Sequence, residues 1–141
     1  ELNNVQTEEP RTILSEYETR GTKPPSGSSY VDLSTTSYTA DITKLTYGNL
    51  FTNSQFSNVN SITVSINDVD VDRNGYPGEL KGVSVQLWKN GIIDSKVGNP
   101  KKISIDGDSC KFTGLSKKSK YYLEFSKQND GSIYKFKAII S

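Results

Sequence analysis

The chain has no histidine, no methionine and a single cysteine among its 141 residues. Without histidine, the side chain that shuttles protons near neutral pH is missing, so acid–base work would fall to paired carboxylates or to a serine with a lysine base. Asp, Glu, Ser and Lys are numerous, but no spacing singles out a pair, and neither a phosphate-cradling glycine loop nor a Cys/His zinc pattern occurs. The expected class is non-catalytic. The lone Cys110 excludes an internal disulfide, so packing alone must hold the fold. Long apolar runs are missing too: nothing approaches the roughly 18 residues that cross a bilayer as a helix, and no membrane span is expected. From Lys81 onward every basic residue is lysine. Forked phosphate recognition usually recruits arginine, so nucleic acid is not an expected partner.

What is present is a chain one-third hydrophobic and rich in Ser, Thr, Asn and Gly, a composition suited to many short strands and turns. A β-sandwich takes roughly 100 residues, which leaves an appended segment. Residues 1–29 read as that segment, a tail or strap. Ile13, Leu14 and Tyr17 are placed to share one face of a helical turn, and the Gly21–Ser29 stretch with Pro24 and Pro25 reads as an extended linker. A start at Glu1 with no methionine anywhere predicts removal of a leader, hence a secreted or cell-surface location.

Residues 30–141 alternate with period two in short blocks separated by turn residues. Tyr38, Ala40 and Ile42 mark one strand, and Ile62, Val64 and Ile66 another. Val69 and Val71 then fall on the opposite phase, which predicts a bulge or strand end near Asn67. Val83, Val85 and Leu87 form a strand ended by Asn90-Gly91, and Ile103 and Ile105 mark the next. Cys110 with Phe112, then Tyr121 with Leu123 and Phe125, and finally Tyr134 with Phe136, Ala138 and Ile140 complete the set. Residues 48–60 read as a partly packed connection. The prediction is an all-β, Greek-key immunoglobulin-like or transthyretin-like sandwich of about seven strands.

Two stretches carry a resemblance. Gly114-Leu115, five further residues, and Tyr121-x-Leu123-x-Phe125 resemble the closing strands of fibronectin type III and immunoglobulin-like modules, in which a leucine and a tyrosine form a corner. Ile62–Asp72, Asn74-Gly75, Leu80-x-Gly82-Val83-x-Val85-x-Leu87 and Phe112-x-Gly114-Leu115 are similar to the B-type, transthyretin-like repeats of Gram-positive collagen adhesins, over about residues 60–126. That resemblance implies an adhesion or stalk module at a cell surface. Those repeats often carry a Lys–Asn isopeptide bond, with the lysine on the first strand. Here the region reads Ser65-Ile66-Asn67-Asp68 and offers no lysine, so the bond is not carried over.

Three features are candidate sites. Asp68, Asp70, Asp72, Asn74 and Glu79 place oxygen ligands at alternating positions around Gly75, the composition of a calcium loop. A glycine in the sixth place puts Lys81 in the twelfth, while Glu79 in the twelfth puts Arg73 in the sixth, so a solvated acidic strand is the competing reading. Trp88 falls on the opposite phase from Leu87. If its strand neighbours the last two, one outer face would display Trp88, Tyr122, Glu124, Lys135 and Lys137, an aromatic and charged platform for protein or carbohydrate. Lastly, charge is segregated along the chain. Residues 1–29 carry five acidic and three basic groups, 30–80 six and two, and 81–141 five and twelve, leaving −2, −4 and +7. The lysine-rich part suits a solvated surface or attraction to a cell-wall or other anionic glycan. The expected function is extracellular binding or adhesion to a protein or an anionic or carbohydrate polymer. The alternatives are a calcium-stabilised structural module and a secreted enzyme inhibitor.

Overall fold

The alternation of apolar and polar residues carries through to the structure, a computed structural model that describes residues 5–7, 25 and 30–141. Among the described residues eleven strands form: β1 (Val5–Thr7), β2 (Tyr30–Asp32), β3 (Ser37–Leu45), β4 (Leu50–Phe51), β5 (Gln55–Ser57), β6 (Ile62–Asp72), β7 (Val83–Lys89), β8 (Ser95–Ile103), β9 (Ser109–Phe112), β10 (Tyr121–Ser126) and β11 (Ile133–Ile140). The expected helical turn at Ile13, Leu14 and Tyr17 lies outside the described residues, as does the linker apart from Pro25.

The strands build two sheets packed as a sandwich. The first runs β1-β3-β11-β6-β9, and the second β2-β5-β10-β7-β8 with β4 also paired to β10. From β5 onward only the β7–β8 hairpin stays within one sheet; every other connection crosses to the opposite one. Alternate crossing lets each apolar strand face meet its counterpart across a common core. The last strand lies between β3 and β6. In the immunoglobulin constant-type order it would pair with the penultimate strand instead.

Seven strands expected from periodicity become eleven for a physical reason. β1, β2, β4 and β5 have two or three residues each, too few to show alternation. β8 has Val97 as its one apolar residue before Ile103, because it is an edge strand with most of its length in solvent. The expected strand at Ile103 and Ile105 is therefore shifted: Ile103 ends β8 and Ile105 lies in the turn after it. The bulge predicted near Asn67 is present. Lys137 faces Asn67 and Lys135 faces Asp70, so β6 carries one extra residue, with Asp68 at φ 53°.

Tyr38, Ile42, Ile62, Ile66, Phe136 and Ile140 from the first sheet meet Phe56, Val83, Leu87, Leu123 and Phe125 from the second. Edge-to-face ring pairs bridge the layers, Tyr38 to Phe56 at 5.1 Å and Phe125 to Phe136 at 6.0 Å. Each such buried side chain contributes roughly 1.5–3 kcal/mol by removal from water. Gly82 precedes β7 where no side chain fits, since a Cβ there would lie 2.0 Å from the carbonyl oxygen of Ile103.

The corner between β9 and β10 is the one the sequence indicates. Leu115 and Tyr121 are both buried, and the Tyr121 hydroxyl accepts a hydrogen bond from the Ser116 backbone N–H at 2.9 Å. This is a tyrosine corner, with the ring filling the end of the core and its oxygen satisfying the turn.

Candidate functional site

The outer face of the second sheet holds only part of the expected platform. β10 pairs with β7 as anticipated, and Tyr122 faces Trp88 while Glu124 faces Gln86. β11, however, belongs to the first sheet. Lys135 and Lys137 therefore point to solvent from the opposite side of the sandwich, opposite Asp70 and Asn67, with Asp41 on the other flank of Lys137. The five residues do not form one face.

Nor is Tyr122 displayed. Its ring is 1% exposed, stacked at 6.0 Å on Trp88 and met edge-on by Phe51 at 5.9 Å. Its hydroxyl donates to Asp94 Oδ2 at 2.7 Å. Burial, reinforced by this acceptor, pushes the phenol well above its ordinary pKa. Trp88 is half-buried, with Nε1–H donating to Glu124 Oε1 at 2.8 Å and Lys96 Nζ lying 5.6 Å from the ring centroid. Glu124 also accepts from Asn49 Nδ2. These groups satisfy one another, so the layer serves chiefly to fasten β4, β7 and the β7–β8 turn onto β10.

The acidic row does not converge. Asp68, Asp70 and Asp72 are exposed along β6, and Asp70 sits opposite Lys135. Asp72 Oδ1 accepts the Asn74 backbone N–H at 2.9 Å, Asn74 Nδ2 donates to the Gly131 carbonyl at 3.1 Å, and Glu79 pairs with Lys81 at 3.0 Å. Among the described residues no group of three or more Asp, Glu, His or Cys side chains is placed to hold a metal ion. The row lies as an exposed acidic strand, because an extended strand spaces its carboxylates along a line instead of around a point.

Cys110 is half-buried on β9, opposite Val64 and in phase with Phe112. Burial pushes its thiol up to about 11 against the opposing pull of Lys101, which keeps it a packing group.

Two surfaces remain. Where edge strands β8 and β9 approach each other, a groove of about 300 Å³ is lined by Val97, Asn99, Pro100, Lys101, Lys111 and Phe112. Gly98, at φ 67°, and Pro100 accompany a register break in the β7–β8 pairing, bending β8 away from regular pairing. Lys101 Nζ stands 5.6 Å from the Phe112 ring centroid. Lys101 and Lys111, both in the groove wall, are exposed. The second surface is the β7–β8 turn, where Ile92 and Ile93 are 107% and 86% exposed. Sequence periodicity does not single them out, since two isoleucines after Asn-Gly read equally well as the opening of a strand. The signal was their position between turn residues and Asp94.

No family model, no curated protein and no solved structure matches the chain.

Proposed function

We propose that the protein is a non-catalytic binding module, secreted or displayed at a cell surface, that attaches to an anionic polymer such as an acidic cell-wall glycan through its lysine-rich β8–β9 side. The observation that carries this reading is the groove between the two edge strands, with Lys101 and Lys111 among its walls and Asn99 beside them. A groove with ammonium groups at its rim matches a chain of repeated negative charge, because each lysine is a hydrated point charge that tolerates varied anion geometry. The half-buried Val97 supplies apolar lining beside these cations. The resemblance to adhesin repeats over about residues 60–126 agrees with such a role.

Lysines on an edge strand also keep it from pairing with other sheets, and Pro100 contributes to the same end. Affinity chromatography separates the two roles. The protein is expected to be retained on dextran sulfate and not on neutral dextran, with retention falling as salt rises, and Lys101→Ala/Lys111→Ala to elute much earlier with its melting temperature unchanged. Equal elution of the double variant and the parent would remove the groove from the reading.

A further inference from the structure

The β7–β8 turn presents an arrangement that folding does not require. Turns are ordinarily built from Gly, Asn, Asp and Ser, and scattered single apolar residues on a surface need no explanation. Here two adjacent β-branched side chains stand fully in water at the tip of a hairpin. They are held there by the structure beneath. Asp94 Oδ1 accepts hydrogen bonds from the Gly91 N–H at 3.1 Å and from Asn90 Nδ2 at 3.4 Å, while its Oδ2 accepts one from the buried Tyr122 hydroxyl. The Asn90 N–H donates to the Lys120 carbonyl at 2.8 Å, tying the turn to the connection between β9 and β10. The turn is thus anchored from below on both sides, with its apolar side chains aimed outward.

The surroundings of the tip are cationic. Lys89 and Lys96 flank it on β7 and β8, and Lys117, Lys118 and Lys120 lie in the connection tied to it. Lys120 Nζ sits 5.0 Å from the ring centroid of Tyr30, an exposed aromatic at the same end. Among the described residues, Asp94 is engaged as above, and the exposed Asp32 accepts the backbone N–H and the hydroxyl of Ser34 at Oδ1. The result is an exposed apolar turn tip whose flanking strands and tied connection carry five lysines, with an exposed tyrosine at the same end.

We propose that this end of the sandwich docks on an anionic lipid surface. Ile92 and Ile93 enter the boundary between headgroups and acyl chains, the lysines lie against lipid phosphates and carboxylates, and Tyr30 sits at the interface. A protruding tip suits a deformable medium that closes around it, whereas a concave apolar surface would suit a rigid partner. Diffuse anionic charge is matched by point-charge ammonium groups without the fixed geometry that arginine imposes. This surface is separate from the β8–β9 groove.

The test uses the whole chain and vesicles of phosphatidylcholine with and without phosphatidylserine. Flotation is expected with the phosphatidylserine vesicles alone, and to weaken with salt. Ile92→Ser/Ile93→Ser is expected to lower the affinity roughly a hundredfold, about tenfold or more for each isoleucine, while the melting temperature holds. Lys117→Gln and Lys118→Gln are expected to cost roughly fivefold each. Ile93→Trp reports insertion directly, through a blue-shifted emission that brominated lipid quenches. The proposal is overturned if the parent ignores both vesicles, which would leave a pocket on a partner protein as the occupant of the tip. It is equally overturned if the double serine variant floats as well as the parent, since the lysines would then act without the isoleucines. Retained flotation of Lys101→Ala/Lys111→Ala separates this result from the fate of the groove.

Discussion

The two ends of the sandwich treat charge in opposite ways. At the end holding the β6–β7, β8–β9 and β10–β11 connections, Arg73, Lys81 and Lys127 are engaged by neighbouring loop groups. Arg73 donates to the carbonyls of Tyr76 and Gly78 at 3.1 and 2.8 Å, and Lys81 pairs with Glu79. Lys127, fully buried, reaches Asp130 Oδ1 at 2.8 Å and the Gln128 carbonyl at 2.7 Å, with the Tyr134 ring 4.8 Å away. At the other end Lys117 and Lys118 face solvent, while Asp94 accepts the hydroxyl of the buried Tyr122 and the exposed Asp32 accepts from Ser34. One end buries an ion pair within its loops, and the other keeps Lys117 and Lys118 in solvent. Charge that is internally paired supports the fold, and charge left facing water around an apolar tip is where a partner can act.

The contrast breaks most sharply at Asp130. Replacing either member of the Lys127–Asp130 pair strands a buried charge, so Asp130→Ala should cost about 3–5 kcal/mol in urea unfolding. A loss below about 1 kcal/mol would mean that the pair is not held out of water. Burial alone would raise the Asp130 pKa, but hydrogen bonds from Lys127 and Ser132 prevail and hold it at about 2, below its ordinary 3.8. A carboxyl depressed in the folded state contributes stability that is fully present above its unfolded pKa and is lost as pH falls through the folded one. The parent should therefore lose stability as pH drops from 3.8 toward 2, and Asp130→Asn should flatten that segment of the pH–stability curve.

A smaller effect is expected where the lysine-rich end is fastened to the core. Tyr122→Phe removes the donor to Asp94 and should cost about 1–2 kcal/mol. Faster hydrogen exchange at the amides of the 90–94 turn would identify the lost anchor, and unchanged exchange there would assign the turn's order to Asn90 and Gly91 alone. The smallest effect belongs to the tip. Ile92→Ser/Ile93→Ser should leave unfolding free energy within about 0.5 kcal/mol of the parent, because neither side chain leaves water on folding. A marked destabilisation would instead place the pair in a structural role.

Much of the fold was legible because its signals are local. The period-two blocks identify the inward residues of β3, β6, β7, β10 and β11, and the phase flip after Ile66 locates the bulge that Asp68 occupies. Leu115 and Tyr121 mark the corner because turn and strand entry lie within a few residues of each other. Edge strand β8 was misplaced because a strand bathed in water needs no apolar alternation.

The candidate sites were less legible, because sites depend on which strands become neighbours. Trp88 and Tyr122 share one face, as expected, since β7 and β10 pair as their phases suggest. Lys135 and Lys137 were separated from them when β11 joined the first sheet. The phase of Tyr122 points outward, yet Phe51, Trp88 and the Asp94 turn close over it.

By itself, then, the sequence determined the class of fold, the inner and outer parity of its long strands, the corner at Tyr121 and the excess of lysine from Lys81 onward, all properties of residues close together in the chain. Tertiary structure alone decided the partner of each strand, the splitting of the outer platform, the use of each acidic group and the exposure of Ile92 and Ile93. Those outcomes depend on contacts between distant segments, whose free energies are settled only when both sheets have closed over one core.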